Sequence, residues 1–192
     1  MSEDHSAAVQ LDMVIVGAGF AGLYMIHKAQ EEGLSVQCFE AGDGVGGTWY
    51  WNRYPGARVD IECVEYSYSF SKELEQDWEW TERYAAQPEI EQYANHVADR
   101  FKLREKIQFE TKVVSAIFDE ATGRWTVTTD RGDVVSAQYC IMATGLISAP
   151  FPRRDAALDD RQALHADRLR AAEDARLESE RRRRQKLVLH RT

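Results

Sequence analysis

Three glycines near the start of the chain, Gly17, Gly19 and Gly22, have the spacing G-x-G-x-x-G. Glycines at these places permit a tight turn, a close approach of backbone to a pyrophosphate, and close packing of a helix on a strand. A carboxylate, Glu40, follows 18 residues after Gly22, where it can accept hydrogen bonds from ribose hydroxyls. The chemistry that these residues offer is the binding of a dinucleotide.

The segments around the glycines supply the elements that this chemistry requires. Residues 11–16 (LDMVIV) are apolar and β-branched, which predicts a buried parallel strand. A helix with apolar residues at 23, 25, 26 and 29 follows the glycines, Gly33 ends it, and residues 34–39 form a second strand. The start of that helix offers free N–H groups and a positive dipole end to phosphates. We call residues 11–40 the cradle; a tight packing turn without a ligand is its alternative interpretation.

The acid at the end of the cradle narrows the choice of ligand. A carboxylate at Glu40 repels the 2′-phosphate of NADP, so the cradle favours FAD or NAD. The cradle by itself does not distinguish FAD from NAD.

A second glycine-rich stretch, residues 46–60 (GGTWYWNRYPGARVD), combines aromatic side chains with charge. Gly46 and Gly47 let backbone lie against a ligand, and Thr48 adds a hydroxyl donor. The aromatic run at 49–51 offers flat apolar surface suited to an isoalloxazine ring or its neighbourhood. We call residues 46–60 the aromatic stretch.

Each residue of the aromatic stretch also has a structural explanation when it is taken singly. Tryptophans and tyrosines lie more often in a core or an interface than against a flavin. Arg53 and Arg58 would be solvated charges, and Asp60 would cap the N-terminus of a helix formed by the following IECVEY.

The segments that follow have mainly structural roles. Residues 87–103, with apolar positions at 90, 93, 94, 97, 98 and 101, predict an amphipathic helix opened by Pro88. Residues 107–118, 124–129 and 134–137 predict a β-meander with turns at 122–123 and 131–132. Residues 139–144 (YCIMAT) then predict the last strand of the parallel sheet, and Gly145 lets backbone pass near the dinucleotide.

The order GAGFAG, FEAGDGVGGTWYWNRYPGARVDIE, YSYSF, WTERYAAQPEI, FDEATGRWTV and IMATG resembles the N-terminal FAD-binding region of Baeyer–Villiger monooxygenases. Members of that family use FAD, NADPH and O₂ to insert oxygen beside a ketone carbonyl. The resemblance covers about residues 10–150. It implies an α/β fold, a Rossmann-like FAD-binding βαβ domain with a β-meander insertion.

The resemblance also implies roles for individual positions. The glycines Gly17, Gly19, Gly22, Gly47 and Gly145 would lie along the dinucleotide. Residues matching Glu40, Thr48, Trp49, Tyr50, Trp51, Asp60, Ile61, Tyr66 and Val113 contact FAD in similar proteins. Those matching Arg58, Val59 and Asp60 lie close to the nicotinamide cofactor. Asp60 matches an active-site aspartate beside the flavin, which pairs with an arginine from much later in a full-length chain.

The composition changes at about residue 150, which suggests an incomplete dinucleotide-binding domain at 10–150 and an Arg-rich tail at 151–192. Of the chain's 24 Lys and Arg and 32 Asp and Glu, half of the bases but only a quarter of the acids lie in the tail. All 12 glycines lie before residue 146.

Three interpretations compete for the tail, and each predicts a helical or disordered segment. The leucines at 158, 164, 169 and 177 are spaced 6, 5 and 8 residues apart, which argues against a coiled coil. The run RRRRQK at 181–186 resembles a nucleic-acid or nuclear-import patch, although acids are interleaved upstream. The favoured interpretation is a shift of reading frame near codons 145–152.

Cysteine and charge content suggest where the protein works and with what. Three cysteines without C-x-x-C spacing suit a reducing compartment, and the acidic, polar N-terminus does not resemble a signal peptide, so we expect a cytoplasmic protein. The net charge of -8 argues against nucleic acid as a partner, and five scattered histidines argue against a metal site. The expected partners are a small-molecule cofactor and a ketone-type substrate, without a membrane.

Three functions remain open at this point. The first is a Baeyer–Villiger-type FAD domain that lacks the NADPH and substrate regions and is inactive alone. The second is a non-catalytic module that binds FAD or NAD as a structural group or a sensor. The third, a short Rossmann dehydrogenase, is disfavoured because no Ser/Tyr/Lys-type set follows the cradle.

Overall fold

The structure, a computed structural model, describes residues 8–146. The strands are β1 (Val9–Val16), β2 (Val36–Phe39), β3 (Ile107–Gln108), β4 (Val113–Asp119), β5 (Arg124–Thr129) and β6 (Val134–Met142). The helices are α1 (Phe20–Glu31), α2 (Thr48–Trp51), α3 (Lys72–Asp77) and α4 (Gln87–Arg100), with 3₁₀ turns at Cys63–Tyr66 and Leu103–Lys106. Within the described range, no helix has the length and apolar character needed to cross a lipid bilayer. The predicted boundary near residue 150 and the tail at 151–192 lie outside that range.

One six-stranded sheet organises the described residues, in the order β3-β2-β1-β6-β5-β4. The first four strands are parallel neighbours, and β5 and β4 continue the sheet in antiparallel fashion. Because β1 runs into the glycine turn and α1 returns the chain to β2, the βαβ unit predicted for the cradle is present. The prediction of a Rossmann-like α/β fold is confirmed.

The predicted strand boundaries after residue 106 are wrong in two places. Residues 107–118 form two strands, because Glu110 N–H donates to Gly42 O (2.8 Å) and Thr111 N–H donates to Glu40 O (2.9 Å). These bonds tie the chain to the end of β2 before β4 begins. The segments at 134–137 and 139–144 are one strand, β6, which pairs with β5 in its first half and with β1 along its length.

Helices α1 and α4 contribute to one apolar core together with β1 and β2. Leu23 and Ile26 of α1 are fully buried, as their helical spacing predicted. The α4 residues predicted to face the core are buried as well: Ile90, Tyr93, Ala94, Val97 and Ala98. Helix α4 ends at Arg100, three residues earlier than predicted, because Lys102 adopts a left-handed backbone conformation with φ of 54°.

Aromatic rings join the start of α1 to the segment after the aromatic stretch. The rings of Phe20, Tyr68 and Tyr93 lie within 5.6–6.2 Å of one another, measured between centroids. The Tyr68 hydroxyl donates to Phe20 O (2.5 Å), and the Tyr93 hydroxyl accepts from Tyr68 N–H (2.8 Å). Burial raises the pKa of Tyr68, so the hydroxyl stays protonated and keeps this bond. The ring cluster thereby fixes the first turn of α1, directly after the glycine turn of the cradle.

Candidate functional site

The glycine turn at the carboxyl end of β1 leaves no room for a side chain at Gly17 or Gly22. Gly17 has φ of 101°, and its N–H donates to Phe39 O at the end of β2 (2.8 Å). A Cβ atom on Gly22 would lie 1.9 Å from Gly17 O, which is far inside contact distance. The turn and the first turn of α1 are therefore in direct backbone contact, as the third glycine of the motif predicted.

The N-terminus of α1 fits an anion. Gly19 is the N-cap residue, in extended conformation, and no side chain of the described residues caps this end. The first turn also holds no acidic residue. Backbone N–H groups at a helix start have no intrahelical acceptor and carry the positive end of the dipole. These features suit a pyrophosphate at this place.

Glu40 is buried, at 5% exposure, and each of its carboxylate oxygens accepts a hydrogen bond from a backbone amide. Its Oε2 accepts from Ala18 N–H (2.7 Å) and its Oε1 from Gly42 N–H (2.8 Å). A carboxylate has about four acceptor positions, so two remain for a ribose. Glu40 thus has a structural role that the sequence did not reveal: it joins the glycine turn to the loop after β2.

The aromatic stretch lies directly on the glycine turn. Gly46 N–H donates to Ala18 O (3.1 Å), and a Cβ atom on Gly47 would lie 2.8 Å from the Cα of Gly19. Gly47 has φ of 57°, which favours glycine for a second reason. Two motifs that the sequence separates by about 25 residues therefore meet at one point, and α2 starts there.

The three consecutive aromatics of α2 have three different environments. Trp49 is 8% exposed and belongs to a buried cluster with Val59, Cys63, Ala85 and Ile90. The Tyr50 ring lies over Gly42 and Gly44, and its hydroxyl donates to Asp43 Oδ1 (2.5 Å), which raises the pKa of Tyr50. Trp51 is 48% exposed and packs edge-on against the Tyr50 ring. Only Trp51 presents a large free ring surface.

The second half of the aromatic stretch forms an irregular ribbon with residues 83–87. Val59 N–H donates to Ala85 O (3.1 Å) and Cys63 N–H donates to Arg83 O (2.9 Å). Val59 is buried, whereas Asp60 and Ile61 are exposed. The alternative role of Asp60 as a helix cap is wrong, because Glu62 precedes the 3₁₀ turn at Cys63–Tyr66 and no side chain caps it.

The two arginines of the stretch carry ion pairs. Arg58 Nη1 donates to Glu82 Oε2 (3.0 Å) and to Tyr84 O (2.7 Å), and Arg53 Nη2 donates to Glu91 Oε1 (2.7 Å). Both guanidinium groups are thus held in place by their partners. The alternative interpretation, that they are freely solvated charges, is wrong.

The remaining predicted site residues lie around these two motifs. Tyr66 packs edge-on against Phe20 and Trp49, and its pKa is raised by burial and further by the negative charge of Asp60. Val113 begins β4, two residues after the Thr111 N–H that donates to Glu40 O. Gly145, with φ of 72°, lies two residues after Ala143, whose carbonyl lies against Gly17.

The structure therefore brings together the glycine turn, Glu40 and Gly47, and it places Arg58, Asp60 and Ile61 on the ribbon instead. Sequence reasoning missed Gln87, which donates to Trp49 O in α2, and Glu91, which pairs with Arg53 just after α2; both lie in the first turns of α4. Their spacing of four residues, on one helix face, was the available signal. No group of three or more His, Cys, Asp or Glu among residues 8–146 has an arrangement that could hold a metal ion.

Four parallel strands, with a glycine turn that leads from β1 into the uncapped start of a helix, define a dinucleotide-binding α/β protein. Residues 15–74 match the family described as NAD(P)-binding Rossmann-like domain. The chain is 49% identical over 141 residues to the acetone monooxygenase (methyl acetate-forming) of Gordonia sp. strain TY-5, covering 73% of this chain and 26% of that protein. It is 46% identical over 156 residues to a Baeyer–Villiger monooxygenase of Pseudooceanicola batsensis, covering 81% and 29%. The chain belongs to the Baeyer–Villiger monooxygenase family.

Solved structures agree with this assignment. An oxidized steroid monooxygenase bound to NADP superposes with a TM-score of 0.74 at 59% identity, covering 78% of this chain and 29% of that one. The OTEMO complex with FAD and NADP has a TM-score of 0.72 at 42% identity, covering 78% of this chain and 28% of that one. The chain spans between a quarter and a third of the length of these relatives.

Proposed function

We propose that residues 10–150 form an FAD-binding domain of the Baeyer–Villiger type. The observation that carries the proposal is the meeting of the uncapped α1 N-terminus, the glycine turn and the aromatic stretch at Gly19 and Gly47. A cofactor that contains a pyrophosphate and a flat ring system matches this arrangement, because the α1 N-terminus suits the pyrophosphate and the aromatic stretch suits the ring. The OTEMO complex, which carries FAD and NADP, supports the choice of FAD.

Each part of the site would hold one part of the cofactor. The N–H groups at the start of α1 would bind the pyrophosphate, and the free acceptor positions of Glu40 would bind ribose hydroxyls. Val113 would border the adenosine end, next to Glu40. Thr48, Tyr66 and the aromatic run at 49–51 would border the opposite end. Bound FAD would supply the redox chemistry with NADPH and O₂.

The residues on the ribbon would serve the second cofactor. Arg58, held by Glu82 and Tyr84 O, presents a fixed positive charge, which suits a phosphate-bearing nicotinamide cofactor. Val59 anchors the ribbon in the core, while Asp60 and Ile61 are exposed. Asp60 would be the residue nearest the reacting ring, in a catalytic role.

For the whole protein of which such a domain is part, we propose NADPH- and O₂-dependent oxygenation of ketones. The name of the Gordonia relative, which forms methyl acetate from acetone, supports this substrate class. Because the chain spans only about a quarter of that relative, we expect the chain alone to bind FAD and to lack ketone oxygenation.

The visible absorption spectrum tests the proposal most directly. The purified chain is incubated with excess FAD and passed through gel filtration, and a retained, perturbed flavin band is expected. Gly19→Asp places a negative charge at the phosphate position and is expected to abolish retention. Gly33→Asp, at a glycine with no heavy atom within 4 Å of an added Cβ, is the matched control and should retain flavin. A folded, colourless wild-type chain would overturn the proposal.

A second candidate function is a non-catalytic module that binds NAD. The match to an NAD(P)-binding Rossmann-like family favours it, and the carboxylate at Glu40 suits NAD as well as FAD. Displacement of bound FAD by NAD at comparable concentrations would support this candidate, whereas steady NADPH oxidation dependent on a ketone would exclude it.

We also propose that the protein works in the cytoplasm with small molecules as its ligands. All three cysteines, Cys38, Cys63 and Cys140, are free, which suits a reducing compartment. Cell fractionation with an antibody against the chain tests the location, and recovery in an exported fraction would contradict it.

A further inference from the structure

Helix α2 is a single turn of four residues, too short to persist by its own hydrogen bonds. Its last carbonyl groups need partners from elsewhere. Asn52 supplies one, since its N–H and its Nδ2 both donate to Thr48 O (3.0 and 2.9 Å). The carbonyls of Trp49 and Tyr50 receive theirs from two other side chains.

Gln87, at the start of α4, joins both halves of the aromatic stretch. Its side-chain Nε2 donates to Trp49 O in the first half, and its backbone N–H donates to Ala57 O in the second (2.8 Å). Gln87 is 6% exposed, so the bond to Trp49 O is shielded from water. A lost donor there would leave a buried carbonyl unpaired.

Glu91, one turn further along α4, extends the connection to Tyr50. Its Oε2 accepts from Gln87 Nε2 (2.8 Å) and its Oε1 accepts from Arg53 Nη2 (2.7 Å). Arg53 Nε in turn donates to Tyr50 O (2.9 Å), and the guanidinium carbon lies 4.9 Å from the centroid of the Tyr50 ring. An unbroken chain of bonds thus runs from Trp49 O through Gln87, Glu91 and Arg53 to Tyr50 O.

We propose that Gln87 and Glu91 are positioning residues that hold α2 against the glycine turn for the ring end of the cofactor. The inference rests on the proposed function, because it assumes that FAD occupies the site. Gly47 touches Gly19 immediately before α2 begins, so a rotation of α2 would move the surface next to the glycine turn. Among residues 8–146, no hydrogen bond joins the segment from Gly17 to Glu40 to Gln87 or Glu91, so the adenosine end does not depend on this pair.

The test compares FAD with ADP, which carries the adenosine and pyrophosphate but no flavin. Gln87→Met keeps the length of the side chain and removes the donor. We expect the Kd for FAD to rise about ten-fold, equivalent to about 1.4 kcal/mol, while the Kd for ADP stays within about two-fold. Glu91→Gln should shift FAD binding in the same direction by a smaller factor, and it keeps the test available if Gln87→Met does not fold.

Glu89→Gln is the matched control. Glu89 lies in the same turn of α4 and bonds to Thr81 N–H and Oγ1 (2.7 and 2.9 Å), not to α2. Its variant should leave both Kd values unchanged. Equal weakening of FAD and ADP by Gln87→Met, or no weakening of either, would overturn the inference while leaving the proposed function intact. Failure of the wild-type chain to bind FAD would instead overturn the proposed function itself.

Discussion

At the scale of single residues, Gly22 and Glu40 define the shape of the cradle by opposite means. Gly22 must lack a side chain, because Gly17 O occupies the place where a Cβ atom would lie. Glu40 contributes a buried carboxylate that two backbone amides require. One residue allows the turn to close on α1, and the other ties that turn to the loop after β2.

Gly22→Ala is expected to destabilise the fold by more than about 2 kcal/mol, because its Cβ would overlap a backbone oxygen that cannot move aside. Gly33→Ala is the comparison, since it adds strain at a positive φ without a clash and should cost about 1 kcal/mol. Urea unfolding of both variants measures the difference. Equal losses would show that the backbone around Gly17 relaxes.

Glu40→Gln is expected to lower the free energy of unfolding by about 2 kcal/mol, because one charge-assisted bond is replaced by an amide NH₂ facing an N–H group. Glu110→Gln, at an exposed carboxylate, should change it by less than about 0.5 kcal/mol. Denaturant titrations at neutral pH compare the two. A loss as small as that of Glu110→Gln would mean that the Glu40 bonds are replaceable by water.

At the scale of elements, α1 is held to its neighbours through a buried histidine. The His27 ring lies 4.1 Å from the Phe70 ring and 4.9 Å from the Phe101 ring, between centroids. Burial lowers the pKa of His27, while the nearby Glu31 carboxylate, 3.4 Å from Nε2, opposes that shift. The neutral ring is therefore the form that packs α1 against these aromatics.

This histidine makes the stability of the fold depend on pH. Below the ordinary histidine pKa of about 6.5, the unfolded chain binds a proton that the folded chain does not, so the free energy of unfolding falls as pH decreases from about 7 to about 5. Glu31→Gln should steepen the fall, because it removes the opposing charge. His27→Gln should flatten it. Unfolding titrations at several pH values measure how the free energy of unfolding depends on pH. A slope in His27→Gln equal to that of the wild type would contradict the prediction.

Helices α1 and α4 and the glycine turn were predictable from sequence, whereas α2, α3, the strand boundaries and the support of α2 were not. The burial of Leu23, Ile26 and the apolar face of α4 follows from a local period of 3.6 residues. The join of 134–137 to 139–144 depends on β1, which lies far away in sequence. Likewise, the spacing of Gln87 and Glu91 places them on one helix face, but the partner of Gln87, Trp49 O, lies in a distant segment that this local pattern does not specify. The roles of individual residues toward a cofactor remain predictions.

At the scale of the whole molecule, the sheet formed by residues 8–146 ends in an edge strand that carries exposed apolar side chains. β4 is the last strand of the sheet, and Val114, Ile117 and Phe118 on it are exposed. Such an edge can pair with another chain. We therefore expect association that increases with protein concentration.

Ile117→Lys is expected to reduce that association, because a charge on an edge strand opposes strand pairing. Val64→Lys is the control, since Val64 has the same exposure of 65% but lies in a 3₁₀ turn. Gel filtration with light scattering at two concentrations measures the mass. Equal effects of both substitutions would assign the association to general surface hydrophobicity, and a monodisperse wild-type monomer would contradict the expectation.

The pairing of β1 with β6 has a consequence for synthesis on the ribosome. Val9 pairs with Val135 and Val16 with Met142, so the strand that carries the cradle gains its second neighbour only after nearly all of the described chain has been translated. At about 5–20 residues per second, that wait lasts on the order of 6–25 seconds. During this time the nascent βαβ unit exposes one edge of β1 to chaperones and to neighbouring nascent chains. Codon changes that slow translation between β2 and β6 should therefore lower the yield of folded protein more than the same changes placed before β1.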